Sequence, residues 1–179
     1  MPSLPKRALL AGLAALTFGL AASADPVLAQ ETRVSIGGGG HDTGQPVEIT
    51  ADEFRLDQTA GTATFLGNVL VIQGEMRMTA DRVFVVYDRD AGRIARLEAT
   101  GGVVLVNGPD AAQSDRAEYT IDSGEIEMTG NVLLTQGPST LNSQRMTVNL
   151  ATGTAQMAGR VKTILNPTPK PAPDSADQD

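Results

Sequence analysis

The sequence predicts an all-β fold, an elongated rolled sheet built from about four stacked repeats. Three observations predict it. β-branched and other apolar residues come in short runs, as in Val69-Leu70-Val71-Ile72 and Val103-Val104-Leu105-Val106. Glycine-bearing turns interrupt these runs at regular distances, and no window carries a sustained helical period. One unit then recurs four times, at spacings of about 29 to 34 residues, within the range of stacked repeats.

Taken in order, residues 1–29 read as a cleaved signal peptide. Lys6 and Arg7 precede an apolar run over 8–22, shorter than the roughly 20 residues a membrane-spanning helix needs. Small residues allow cleavage after Ala29, preferred because Pro26 breaks the helix just before it, or after Ala24. This places the mature protein in the periplasm. Residues 30–45, with Gly37-Gly38-Gly39-Gly40, read as a flexible lead. No Gly-Lys-Ser/Thr follows the glycines, so they make no phosphate loop. His41, the single histidine, has no neighbouring ligand or base. Residues 166–179 are rich in Pro, Asp and Ser and read as a disordered tail.

Between them, residues 46–165 form the repeat body. The units begin Ile49-Thr50-Ala51-Asp52, Met78-Thr79-Ala80-Asp81, Ala112-Gln113-Ser114-Asp115 and Leu141-Asn142-Ser143-Gln144. Apolar residues follow at two and four positions: Phe54 and Leu56, Val83 and Val85, Ala117 and Tyr119, Met146 and Val148. Turns at Gly61, Gly92, Gly124 and Gly153 come next. The units close with Gly67-Asn68-Val69, Gly101-Gly102-Val103, Gly130-Asn131-Val132 and Gly159-Arg160-Val161. Ile49 and Ala51 share a face with Phe54 and Leu56 only if the strand slips by one residue near Asp52-Glu53. A slip repeated at one place in each unit is a bulge or bend, which rolls the sheet around its own interior. Asp52, Asp81 and Asp115 then hold local backbone at the bends.

The predicted inward set is Ile49, Phe54, Leu56, Phe65, Val69, Val71, Met78, Val83, Val85, Leu97, Val103, Leu105, Tyr119, Met128, Val132, Leu134, Met146 and Val148, with Ala117, Ile126 and Met157. Such alternation suits either a dry core or a slot for flexible alkyl chains. Unbranched Met76, Met78, Met128, Met146 and Met157 fit a ligand without fixed shape. The sheet begins with Val47, Glu48, Ile49 and Thr50 and ends with Val161, Lys162, Thr163 and Ile164. Both ends lack a capping helix and are exposed to strand pairing.

Composition narrows the function. The 179-residue chain has 14 Lys and Arg against 21 Asp and Glu, a formal charge of −7, which argues against a nucleic-acid partner. With no Cys there are no disulfides or thiolate metal sites. A polysaccharide lyase or hydrolase needs carboxylates and a base converging on one groove. Asp52, Asp81 and Asp115 instead sit at bends with no matched His or Tyr. No enzyme, cofactor or metal is expected.

The stretch Val47-Glu48-Ile49-Thr50-Ala51-Asp52, then Gly61-Thr62-Ala63-Thr64-Phe65-Leu66-Gly67-Asn68-Val69, then Met78-Thr79-Ala80-Asp81, resembles the OstA-like domain family. The resemblance covers most of residues 46–165. It implies a twisted β-jellyroll open at both ends. It further implies lipopolysaccharide as ligand, with acyl chains in the apolar interior and sugars outside. Copies would join head to tail through terminal strands, bridging inner- and outer-membrane proteins of the same fold, and no catalytic residue carries over. Arg55, Arg77, Arg82, Arg93, Arg96 and Arg116 are candidate contacts to anionic head groups. Two other functions fit the residues: an inner-membrane partner of the same fold that keeps its N-terminal anchor, and a structural β-filament with a dry core.

Overall fold

The computed structural model describes residues 32–36 and 40–165, so the expected signal peptide and C-terminal tail lie outside the described residues. Within them are eleven strands: β1 (Thr32–Ser35), β2 (Glu48–Thr50), β3 (Glu53–Asp57), β4 (Thr62–Gln73), β5 (Met76–Asp88), β6 (Arg93–Asn107), β7 (Asp110–Thr120), β8 (Glu125–Gln136), β9 (Ser139–Asn149), β10 (Thr154–Ala158) and β11 (Lys162–Ile164). All pair antiparallel in one sheet, ordered β1-β10-β9-β8-β7-β6-β5-β4-β2, with β3 also on β4 and β11 also on β9.

The pairing shows eight bent strands stacked in sequence. β2 and β3 lie end to end along β4 and make the first; β10 and β11 lie end to end along β9 and make the last. Each bend falls where the phase slip was expected. Register shifts separate Leu66 from Val69, Thr79 from Arg82, Thr100 from Val103, Gln113 from Arg116 and Thr129 from Val132. The bends fold the sheet lengthwise into two halves around one core.

The chemistry of the bend is legible at Gly101-Gly102. Both residues have positive φ, +86° and +57°, but for different reasons. A Cβ on Gly101 would sit 2.5 Å from Asp81 Oδ2, whereas nothing lies within 4 Å of one on Gly102. The first slot of each bend is therefore glycine, while the second accepts a side chain, as in Asn68, Asn131 and Arg160 at φ of 47°, 48° and 52°. Asn68 Nδ2 donates to Asp52 Oδ2 at 2.7 Å, and Asn131 Nδ2 to Asp115 Oδ2 at 2.9 Å. Asp52 and Asp115 thus tie consecutive strands at the fold line through a side-chain amide 16 residues on, where a bond to local backbone was expected.

Along the core the rungs are aliphatic. One runs Leu56, Ala63, Val85, Leu97, Tyr119, Ile126, Val148 and Ala155; another runs Ile49, Val71, Met78, Leu105, Ala112, Leu134 and Leu141. From Val85 to Val148 the members of the first are fully buried. The wide spacing between the second and third units arises in the β5–β6 hairpin and not at the loop Gly108-Pro109-Asp110-Ala111. Asp81 to Gly101 holds five residues more than Asp52 to Gly67, absorbed by longer strands and an extra shift between Val86 and Tyr87.

Two expectations are corrected. Residues 30–45 are not simply a loose lead, because Thr32–Ser35 pairs with β10 as an extra strand on one half. Ile36 beyond it is 1% exposed, and its amide donates to Gly153 O at 2.8 Å. The apolar side chain gains a core, and the backbone gains a strand edge. Phe54 and Leu56 lie on inward rungs, yet they are 55% and 51% exposed, because the stack ends with them and none of the described residues covers that end.

Candidate functional site

The candidate site is the apolar interior, its ends and the long seam between the two halves. Of the predicted inward residues, Val69, Val71, Met78, Val83, Val85, Leu97, Val103, Leu105, Tyr119, Met128, Val132, Leu134, Met146 and Val148 join one buried cluster. Ile49 and Phe65 pack against it while half-buried. Phe65 carries Phe54 on its outer side, ring centroids 4.9 Å apart. At the opposite end Ile164 is 46% and Leu165 72% exposed, but Thr163, and not Ile164, stands opposite the inward Leu141, so Ile164 lies on the outer face. Of the edge residues, Val47, Ile49 and Val161 are half-buried, and Glu48, Thr50, Lys162, Thr163 and Ile164 are exposed.

The seam lies between two rows of hairpin turns, and residues 40–47, the strap that leads into β2, run along it. β1, beyond the last strand, and β2, in the first, stand eight strand spacings apart, about 38 Å at 4.8 Å per strand. The strap touches both rows. Gly40 N donates to Ala151 O at 3.0 Å on one side. On the other, three amide side chains at the ends of β4, β6 and β8 face it or the end of β1. Gln136 Nε2 donates to Ser35 O, and Asn107 lines a cavity with Gly40, His41 and Asp42.

Gln73 is the centre of this strap. It is fully buried, and all of its polar capacity is used. Its Nε2 donates to Thr43 O and Gln45 O, each at 2.9 Å. Its Oε1 accepts from the Tyr119 hydroxyl at 2.6 Å and lies 3.2 Å from His41 Nε2. Burial pushes the Tyr119 pKa up to about 12. A second cavity of about 490 Å³ opens beside the strap, lined by Thr43, Gly44, Gln45, Val47, Arg93, Ile94, Ile121 and Asp122. Arg93 pairs with Asp122 at its rim, which raises the arginine pKa.

Sequence reasoning missed Gln73 and His41 as a pair. The signal was present in part: Val69, Val71 and Gln73 share one phase, so a polar side chain had to point inward and find a partner. The candidate arginines are engaged mostly with carboxylates. Arg55 meets Glu53 at 2.7 Å, Arg96 meets Glu98 at 2.8 Å, Arg116 meets Glu98 at 2.7 Å, and Arg82 lies over the Phe84 ring. Among the described residues no group of three or more His, Cys, Asp and Glu could hold a metal. No helix among them is long and apolar enough to cross a membrane.

Comparison with known proteins gives four findings. A family model described as "LptA/(LptD N-terminal domain) LPS transport protein" matches residues 48–154. The lipopolysaccharide export system protein LptA of Escherichia coli K12 is 46% identical over 44 residues. That match takes in 25% of this chain and 24% of the relative, about a quarter of its length. An uncharacterised protein of Rhizobium meliloti (strain 1021) is 29% identical over 112 residues, 59% of this chain and 60% of that one. Among solved structures, LptH is described as the LptA-homologous periplasmic component of the lipopolysaccharide transport device of Pseudomonas aeruginosa. It superposes with a TM-score of 0.65 at 17% identity, over 71% of this chain and 99% of that one, a likeness of fold.

Proposed function

Since the chain belongs to the LptA/(LptD N-terminal domain) LPS transport protein family, we propose that it is a periplasmic lipopolysaccharide carrier. It holds acyl chains in its interior with the sugars outside. It joins further copies head to tail, and same-fold proteins of the inner and outer membranes, by terminal-strand pairing. Export through the signal peptide over residues 1–29 is part of this proposal.

One observation carries it: an aliphatic interior, lined from both halves, that runs the length of the stack and meets solvent at Phe54 and Leu56, with no cap among the described residues. Aliphatic rungs make no demand on ligand shape, and the methionines adapt to it. The inner residues are closed off in this conformation, many fully buried. Loading then proceeds by the halves parting along the seam, with the strap over residues 40–47 lifting from Gln73.

The test is photocrosslinking in cells that make lipopolysaccharide. A photoreactive residue replaces Phe65, on an inward rung, or Thr64, on the outward face. A lipopolysaccharide adduct at Phe65 and not at Thr64 is the expected result. No adduct at either, in folded exported protein, rejects the carrier and leaves the dry-core filament, which the complete burial of the inner rungs also fits.

A further inference from the structure

We propose that β1 is an intramolecular stand-in for β3 of a second copy, so that the chain caps its own end until a neighbour displaces the cap. The inference deepens the head-to-tail assembly proposed above and rests on it.

The argument begins with strand direction. Eight bent strands alternate, so the last, β10 with β11, runs opposite to the first, β2 with β3. A second copy stacked by translation would meet it in antiparallel pairing on both halves. Its register follows from the repeat. Met128 faces Met146 and Ile126 faces Val148 between the third and fourth units. The equivalent pairs across a junction are Met157 with Phe54 and Ala155 with Leu56 of the second copy.

Those slots are already filled on one half. Thr32 pairs with Met157, Arg33 with Gln156, Val34 with Ala155 and Ser35 with Thr154. Position by position, Thr32-Arg33-Val34-Ser35 stands where Phe54-Arg55-Leu56-Asp57 of a neighbour would stand, in the same direction. With β1 in place that half ends one strand beyond the other. A neighbour's β3 would then meet β1 parallel, and the two halves would not close flush.

The cap is the shorter occupant, and the buried Ile36 that follows it is its main further anchor. β1 is four residues long, and Val34 is its single large aliphatic residue. A neighbour's β3 brings Phe54 and Leu56, more than half exposed in the single copy, into the rungs of the core. The tether makes β1 local and always present, while the neighbour competes only as its concentration rises. A single copy is thereby protected from indiscriminate edge pairing, and a crowded one assembles.

The chain has no cysteine, so engineered pairs report cleanly. In the exported, processed protein, Val34→Cys with Ala155→Cys faces two residues across an antiparallel pair, within disulfide reach. Light scattering across a concentration series is expected to show monomers when this variant is oxidised and assemblies when it is reduced. Val34→Pro, which weakens β1 without touching the core strands, is expected to assemble at lower concentration than the parent. A mixture of Leu56→Cys and Ala155→Cys single variants is expected to form a disulfide between copies. Equal assembly of the oxidised and reduced double variant overturns the cap but leaves strand-pairing assembly standing. Monomers throughout, Val34→Pro and the reduced variant included, overturn the assembly itself and the cap with it.

Discussion

Replacing Gln73 by Leu should unlatch the strap while keeping the side-chain volume nearly constant. The substitution removes four interactions at once. The Tyr119 hydroxyl, in a fully buried residue, loses its acceptor. An orphaned buried donor costs about 1–3 kcal/mol. The carbonyls of Thr43 and Gln45 lose their shared donor and turn to water, at about 0.5–1 kcal/mol each. The His41 contact adds little, because that ring is only half-buried. The sum is about 3 kcal/mol, or roughly a 10 °C fall in Tm for a body of this size. Thermal unfolding followed by circular dichroism measures it. Hydrogen exchange adds the local readout: the amides of Ile36 and Gly40, bonded to Gly153 O and Ala151 O, should lose protection before those of the central strands. Adding Tyr119→Phe removes the orphaned hydroxyl and should restore about 1–2 kcal/mol. A Gln73→Leu variant with unchanged Tm and unchanged strap protection would refute the latch.

Other predictions follow from the same geometry. Gly101→Ala should cost about 2–3 kcal/mol, since it adds a contact with Asp81 to the positive-φ strain. Gly102→Asn next to it should instead stabilise by about 0.5–1 kcal/mol, making the bond that Asn68 makes to Asp52; urea unfolding of the pair decides. Leu105→Ala, in the fully buried rung, should destabilise by about 2–5 kcal/mol in the same assay. Folding keeps the proton on Tyr119, whose pKa rises from 10.0 to about 12, while the unfolded chain loses it near the ordinary value. Stability should therefore be full below pH 10 and fall as pH rises towards 12, a loss that Tyr119→Phe abolishes.

The repeat body was legible because each of its features recurs. A phase slip seen once is ambiguous, but the same slip after Ala51, Ala80, Ser114 and Ser143 demands a bend, and the register shifts lie there. Local patterning also places Val83, Val85, Met146 and Val148 on inward rungs, because a strand within the stack has neighbours on both sides. Phe54 and Leu56 carry the same pattern without the same surroundings: periodicity gives the face of a strand and not what lies beside it. β1 and the strap were hidden for another reason. Arg33 and Ser35 flank Val34 in a run too short to show a period, and its partner β10 lies at the far end of the chain. Gln73 fell between these cases, its direction given by Val69 and Val71 and its partners given only by the fold.

Every unit contributes one hairpin, so the number of bent strands is even and the two ends are complementary. Duplicating a unit within the gene would lengthen the body by about 9.6 Å, two strand spacings, and leave the direction and register of both ends unchanged so long as the segment joining β1 to β2 gains about three residues. Deleting one would shorten it by the same step. Insertions within a hairpin, such as the five residues between Asp81 and Gly101, widen the body locally and leave its height alone. Span and girth are thus encoded separately, and a lineage can adjust how far the protein reaches without redesigning how it joins.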